Sequence, residues 1–279
     1  MLAAAGAGEP VIVEWVNHTL GPAVLQIERA IMPQIYGLFG ATWHEPAPGA
    51  LIIPAHVVWS IVLMIIVFAL VLLLRGRLSV DNPSKGQQLL EVGVEQIRGL
   101  LDQVVGPYGR RYVAMIGGFA VFILVGNLMG IVPGLGAPTE NINVTGALGL
   151  ASFLYFITTG FRQQGLGYLK HFTGGLTGAL LPIGIIIFFV EIISNSVRPI
   201  TLSLRLFVNM FADHQIAGAF LNLAPILIPI FTTVLGVFVA FVQTFIFIML
   251  SMVYLSETVP HEEHDHEEHE HRKEAVAHS

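Results

Sequence analysis

Charged and amide side chains recur at helical spacing in the most apolar part of this chain. Glu191, Arg198 and Arg205 stand seven residues apart. Asn195 and Asn209 follow the first and the last of them by four residues. Residues at these intervals share one face of an α-helix. Because charge is costly at membrane depth and is usually kept there for function, this polar stripe predicts a path for ions or a site for an opposite charge.

Arg205 is the member of the stripe that most needs a partner. Leu202 and Val208 stand one turn away on either side of it, and neither is acidic. A guanidinium stays protonated because its pKa exceeds about 12, so it keeps its charge inside a membrane. An acidic partner is therefore expected, either elsewhere in this fold or on another subunit. Arg198 has a simpler alternative, which is an internal ion pair with Glu191.

Two titratable residues and two other polar side chains extend the pattern. Asp213 lies one turn beyond Asn209 on the same helical face. His214 either accepts protons from water at the membrane edge or lies in an interfacial turn. Gln243 and Tyr254 share a face of the last apolar segment. Gln243 fits either a hydrogen bond between helices or a relay for ions.

The composition is that of a membrane protein. Of the 279 residues, 11% are charged and 54% are hydrophobic, and the mean hydropathy is +0.73. A soluble domain carries about 25% charged residues, so lipid must surround much of this chain. There is no cysteine, which excludes disulfides and thiolate chemistry. There is also no basic patch with interleaved aromatic residues, so nucleic-acid binding is not expected.

Apolar stretches of membrane length predict an all-α membrane protein with five membrane helices. These are expected at about 56–74, 113–132, 144–160, 176–212 and 216–255. Each of the last two is nearly 40 residues long, or about 55–60 Å as a helix, whereas the hydrocarbon core is about 30 Å thick. We therefore expect them to tilt steeply, to break or to lie near the membrane plane. Residues 83–105 are predicted to form an amphipathic helix on the membrane surface.

The distribution of Lys and Arg predicts the orientation. Basic residues concentrate between the first two spans and recur after the third, and these loops are expected to be cytoplasmic. The N-terminal segment 1–54 is then extracytoplasmic and is expected to be retained, since Met1–Pro10 lacks the basic start of a secretory signal. The tail 257–279 is cytoplasmic and is expected to be disordered. The His-rich run His261–His271 in this tail could instead bind a metal ion, which is the alternative to a disordered, solvated tail.

Four blocks of sequence carry a resemblance to a known family. They are NLMGIVPGL at Asn127–Leu135, PTENINVT at Pro138–Thr145, TLSLRLFVNMFADH at Thr201–His214 and QTFIFIMLSMVYLS at Gln243–Ser256. In this order and at this spacing they resemble subunit a of bacterial F-type ATP synthases. The resemblance extends from about Pro54 to Ser256.

The resemblance implies a function in a multi-subunit complex of the inner membrane. A subunit of this kind adjoins a ring of c subunits with buried carboxylates, contacts the b subunits of the peripheral stalk and provides two half-channels for protons. It implies that Arg205 faces the ring carboxylate and blocks direct leak between the half-channels. A subunit of this kind performs no covalent chemistry, because ATP is made in the soluble sector of the complex, and it needs no cofactor.

Further positions acquire roles by the same resemblance. Those matched to the outer half-channel are Asn209, His214 and Gln243. Those matched to the cytoplasmic side are Glu191, Ser194 and Arg198. Asp213 and Tyr254 complete the candidate set for ion translocation.

Two positions depart from the family pattern, since His214 stands where some relatives have Glu and Gly236 where some have His. Asp213 is the candidate substitute for the ionisable group that is missing near Gln243.

Two other functions compete with this interpretation. A stand-alone secondary transporter would bind a small anion at Arg205, but such transporters show two similar halves, and the halves of this chain differ. A purely structural scaffold would have no need for an arginine without an acid nearby. Isolation together with a small ring-forming protein that has a buried Asp or Glu would separate the first function from both alternatives.

Overall fold

The computed structural model is built from helices, as the apolar sequence patterns predict. It describes residues 10–257 apart from 39, 41, 43, 47–49, 77, 78, 80, 133, 166–180 and 221–226, and these described residues include no strand. The helices are α1 (Val11–Leu38), α2 (Ala55–Arg75), α3 (Lys85–Val104), α4 (Val113–Ile131), α5 (Ile142–Gln164), α6 (Leu181–Phe220) and α7 (Leu227–Ser256). Two 3₁₀ turns, Pro107–Tyr112 and Pro138–Glu140, precede α4 and α5. The all-α prediction is confirmed.

Five stretches in the described part of the chain are long and apolar enough to cross a membrane. They are Ala55–Arg75, Pro107–Ile131, Ile142–Gln163, Ile186–Asp213 and Ile230–Ser256. A helix satisfies every backbone polar group within the segment, which is why apolar runs of this length adopt it in lipid. The five predicted membrane helices are therefore present.

Helix α6 ends later than the sequence predicted. Helix α6 continues to Phe220, and Asp213 and His214 lie within it. His214 is thus helical and not part of an interfacial turn. The reason is local, because no proline occurs until Pro225, and Ala212, Gln215 and Ala217 favour helix.

Helix α7 is shorter than expected, whereas α6 has the expected length. Helix α6 has 40 residues, as predicted, but α7 has 30. Their lengths are about 60 and 45 Å, so both exceed the hydrocarbon core of about 30 Å. Their tilt in a membrane stays a prediction. Helix α3 lies within the range predicted for the amphipathic helix, and its place on the membrane surface also stays a prediction.

Helix α1 was not predicted, and Pro22 and Pro33 lie within it. The side chain of Asn17 fastens this helix to the segment that leads into α2. Its Nδ2 donates to the carbonyl of Ile53 at 3.0 Å, and the Ile53 amide donates to its Oδ1 at 2.8 Å. Val13 on α1 is fully buried and joins Trp59 of α2 in one apolar cluster.

The chain divides into two compact units, which are described separately. Unit 1 comprises residues 1–87, 121–145 and 206–244. Its apolar cluster consists of Val13, Ile53, Val58, Trp59, Leu63 and Met129. In the same unit, Thr139 Oγ1 donates to Asn127 Oδ1 at 2.7 Å, and both side chains are fully buried. Two of the blocks that carry the resemblance are thus joined by a structural hydrogen bond.

Unit 2 comprises residues 88–120, 146–205 and 245–279. Its apolar cluster consists of Leu101, Val105, Tyr112, Ile116, Phe156, Ile248, Met252 and Leu255. Helices α5 and α7 are also joined by a hydrogen bond of 3.1 Å between the hydroxyls of Ser152 and Ser251. Helices α5 and α6 approach each other closely at Gly149, where a Cβ atom would lie 2.7 Å from the carbonyl oxygen of Pro199.

Candidate functional site

Arg205 lies on an exposed and largely apolar surface of α6. Its neighbours Leu204 and Val208 are 45% and 52% exposed, and Arg205 itself is exposed. Among the side chains that the structure describes, none forms an ion pair or a hydrogen bond with its guanidinium. Its charge is within electrostatic range of Tyr254. A cation without a carboxylate partner thus lies on the outside of a helix of membrane length.

Arg198, one member of the same stripe, has its charge balanced within the chain. Its guanidinium forms an ion pair with Glu257, directly after α7. It also stacks over the ring of Tyr254, with Cζ 5.0 Å from the ring centroid. A stacked and paired guanidinium is held in place and largely neutralised. Glu257 was missed from the sequence, although it stands three residues after Tyr254, one turn along the chain.

Asn209 of α6 and Gln243 of α7 are joined directly within unit 1. Asn209 Nδ2 donates to Gln243 Oε1 at 2.9 Å. Gln243 is only 2% exposed, and its own Nε2 is buried without a hydrogen-bond partner among the described residues. The amide therefore makes a hydrogen bond between helices and still offers a buried donor. Such a donor is costly unless water or another group accepts from it.

A small cavity lies beside Asp213 in the same unit. It has a volume of about 120 Å³, which is enough for several water molecules. Asp213 is half-buried. The residues that line the cavity include Asp213, Met210, Thr232, Gly236 and Ile131. Gly236 lines the same cavity as the carboxylate, and a Cβ atom there would be in ordinary contact with Ile131 Cδ1 at 3.5 Å.

The remaining predicted residues lie on α6. Ser194 is exposed. Glu191 and His214 occupy helical positions, but their side chains lie outside the described ones. The structure therefore brings together Asn209 with Gln243 and Arg198 with Tyr254, and it places Asp213 at a cavity beside Gly236.

Comparison with known proteins agrees with the sequence blocks. The family model described as ATP synthase A chain matches residues 57–256. ATP synthase subunit a 1 of Syntrophotalea carbinolica is 40% identical over 204 residues, which is 72% of this chain and 84% of that protein. ATP synthase subunit a of Aquifex aeolicus is 40% identical over 220 residues, or 75% and 99% of the two chains. The corresponding protein of Sulfurihydrogenibium is 36% identical over 209 residues, or 75% and 99%. The family match covers the four sequence blocks and the five membrane-length helices, and the chain therefore belongs to the ATP synthase A chain family.

Proposed function

We propose that this chain is the proton-translocating subunit a of an F-type ATP synthase, with Arg205 acting on a carboxylate of an adjoining c-subunit ring. The observation that supports this most strongly is the exposed guanidinium on an apolar surface of membrane length, without an ion-pair partner among the described side chains. An arginine at the centre of a membrane costs about 2.5–3.5 kcal/mol on insertion scales, so a partner on another chain is expected.

The chemistry follows from the effect of a fixed cation on an acid. An opposite charge at about 4–6 Å lowers a carboxylate pKa by about 1–3 units. A protonated ring carboxylate that rotates toward Arg205 therefore releases its proton, and it stays ionised while it passes. Once past Arg205 it regains a proton from the other half-channel. The same guanidinium repels protons, which blocks direct leak between the two half-channels.

The outer half-channel is assigned to the region of Asp213, Asn209 and Gln243. A carboxylate beside a cavity with room for water accepts and releases protons. Amides do not titrate, but the buried Nε2 of Gln243 is available to donate to water. Gly236 supports this assignment, because the space beside it lies next to the carboxylate and would be occupied by a larger side chain.

The cytoplasmic half-channel is assigned to Glu191, Ser194 and Arg198, with Tyr254 packed against Arg198. The pairing of Arg198 with Glu257 keeps a second unbalanced cation away from the region that Arg205 controls. This assignment requires an extracytoplasmic N-terminus and a cytoplasmic C-terminus, which is the orientation that the Lys and Arg distribution predicts.

The general proposal is tested by isolating the chain from native membranes through an affinity tag. We expect it to bring with it a small ring-forming protein that carries a membrane-buried Asp or Glu, together with the b subunits of the peripheral stalk. Recovery of the chain alone with transport of a small anion would favour the stand-alone transporter. Recovery in a complex without such a ring would favour a structural scaffold.

The replacement Asp213→Asn tests the outer half-channel. It keeps the size of the side chain but removes its ability to titrate, so we expect ATP-driven proton pumping to fall severalfold without loss of assembly. Pumping is measured as quenching of a pH-sensitive dye in inverted vesicles. Asp81→Asn, an exposed position outside the membrane helices, serves as the control and should leave pumping unchanged. Equal pumping by both variants would remove Asp213 from the pathway.

A double-mutant comparison separates the structural from the relay role of Gln243. Gln243→Leu leaves the Asn209 donor without its acceptor, which costs about 1–3 kcal/mol. Assembly is expected to fall, and adding Asn209→Leu should restore it, because both hydrogen-bonding groups are then gone. If the pair also relays protons, pumping per assembled complex stays low in the double variant. Full recovery of pumping would limit the pair to a structural role.

A further inference from the structure

A second and larger cavity lies in unit 2, among residues that the proton pathway does not use. It has a volume of about 560 Å³ and lies where the 3₁₀ turn Pro107–Tyr112 leads into α4 and where α5 ends. Its polar lining includes Arg111, Tyr112, Tyr155, Thr158, Arg162 and Gln163. None of these residues is a candidate for ion translocation.

The cavity carries two positive charges, and no acid among the described residues balances them. No described Asp or Glu lines it. Arg111 stacks over the rings of Tyr108 and Tyr112, with Cζ 5.6 and 5.2 Å from their centroids, and it forms no ion pair with a described residue. Arg162 likewise pairs with no described carboxylate.

The adjacent Arg110, in contrast to Arg111, is paired with a carboxylate. Its guanidinium binds Asp102 through Nε at 3.2 Å and through Nη2 at 3.0 Å. Of the two neighbouring arginines, the one that lines the cavity is therefore the one without a carboxylate. Two guanidinium groups around a pocket without an acid are suited to an anion with several oxygens, such as a phosphate.

The hydroxyl of Tyr112, in the lining of the cavity, is a further hydrogen-bond donor. Gln163 Nε2 donates to the Tyr112 hydroxyl at 2.5 Å, so the hydroxyl proton of Tyr112 remains available to an acceptor. Tyr112 is only 4% exposed and packs edge-on against Tyr155, at 6.1 Å between ring centroids. The donor is thus held in a fixed orientation.

The position of the cavity along the helices distinguishes a lipid from a free anion. Arg111 lies near the start of one membrane-length stretch and Arg162 near the end of the next, so both lie close to helix ends. The Lys and Arg distribution predicts that these ends face the cytoplasm. The lining continues to Leu154 and Ala151, which lie about 12 and 16 Å further into the span by helical rise. Leu154 is 53% exposed.

We propose that this cavity binds an anionic phospholipid. Its phosphate lies between Arg111 and Arg162 and accepts from the Tyr112 hydroxyl, and an acyl chain lies along Leu154 and Ala151. Basic pockets between membrane helices on the cytoplasmic side are suited to such headgroups. A soluble phosphate would use the arginines but would gain nothing from the apolar part of the lining. The site is independent of Arg205 and of the proton pathway.

The test uses the detergent-extracted complex that contains the full chain. The complex is stripped of loosely held lipid and titrated with phosphatidylglycerol or phosphatidylcholine, and bound lipid is counted by native mass spectrometry. We expect one phosphatidylglycerol to bind tightly and phosphatidylcholine to bind weakly. The double variant Arg111→Gln/Arg162→Gln should weaken phosphatidylglycerol binding by about tenfold or more, as expected when charged hydrogen bonds are removed. Arg98→Gln, on α3 and outside the cavity lining, should leave it unchanged.

Four results would overturn the proposal. Equal binding of the two lipids, or equal binding by the double variant and the wild type, would show that the arginines do not select the headgroup. Displacement by millimolar inorganic phosphate would point to a soluble anion. A crosslink from Arg162→Cys to another subunit, with no lipid bound in the wild-type complex, would assign the cavity to a protein contact. If the double variant assembles poorly, Arg111→Lys/Arg162→Lys is measured instead, because it keeps both charges. Its binding of phosphatidylglycerol is expected to be weaker than that of the wild type and of Arg98→Gln, but not abolished.

Discussion

Arg205→Ala is expected to abolish ATP-driven proton pumping in inverted membrane vesicles while the complex still assembles. The replacement removes the cation that lowers the pKa of the passing carboxylate. A loss of about 1–3 pKa units corresponds to about 10- to 1000-fold less favourable proton release. Assembly should survive, because the guanidinium has no ion pair or hydrogen bond among the described side chains and sits on an exposed surface. Pumping is normalised to the amount of complex detected by immunoblot.

The controls for this experiment separate charge from geometry. Arg98→Ala removes an exposed arginine from α3 and should leave pumping close to wild type. Arg205→Lys keeps the charge but replaces the planar, delocalised group with a compact ammonium, so we expect it to remain strongly impaired. Near-normal pumping by Arg205→Ala in an assembled complex would refute the central role of this residue. It would also revive the anion-transporter and scaffold alternatives.

Gly149→Ala is expected to destabilise the packing of α5 against α6 and to impair pumping. The new Cβ would lie 2.7 Å from the Pro199 carbonyl oxygen and 3.1 Å from Ser203 Cβ. Backbone atoms cannot move aside as a flexible side chain can, so the two helices must separate. Overpacking of this kind costs about 1–3 kcal/mol. Arg205 lies six residues after Pro199 on the same helix, so the displacement also reaches the functional surface.

A second glycine of α5 provides the matched control. Gly146 has no atom within 4 Å of where its Cβ would be, so Gly146→Ala should be neutral or slightly stabilising through helix propensity. The measurement is the temperature at which the purified complex loses this subunit, read together with pumping at lower temperature. If the two alanine variants behave alike, the close approach at Gly149 does not limit stability, and the expected link to Arg205 fails.

Composition and apolar patterning were enough to predict the helical class and the five membrane-length helices. They could not locate the end of α6, because Asp213 and His214 resemble an interfacial end when they are met in sequence. Instead the helix continues through Gln215 and Ala217, and the described part of α6 ends at Phe220. Helix α1 was not predicted. It contains two prolines, which usually end or kink a helix.

The candidate site was predictable residue by residue but not contact by contact. Spacing placed Arg205 and Asn209 on one face, because helical register is a local property. The hydrogen bond between Asn209 and Gln243 depends on the relative register of two helices, because the two residues are 34 positions apart in sequence. The partner of Arg198 likewise depends on where α7 ends, and for that reason Glu257 was overlooked. No sequence pattern in this chain indicated the cavity next to Gly236.

The exposed position of Arg205 also has a consequence for how the chain survives in the cell. A guanidinium among exposed apolar side chains is favourable only once a neighbouring chain supplies an acid. If Arg205 pairs with a ring carboxylate as proposed, the folded state of this subunit is linked by mass action to the supply of that neighbour, as it is for an obligate oligomer. A cell that makes too little of the ring protein should degrade the surplus of this chain, and synthesis of the two must be kept in proportion.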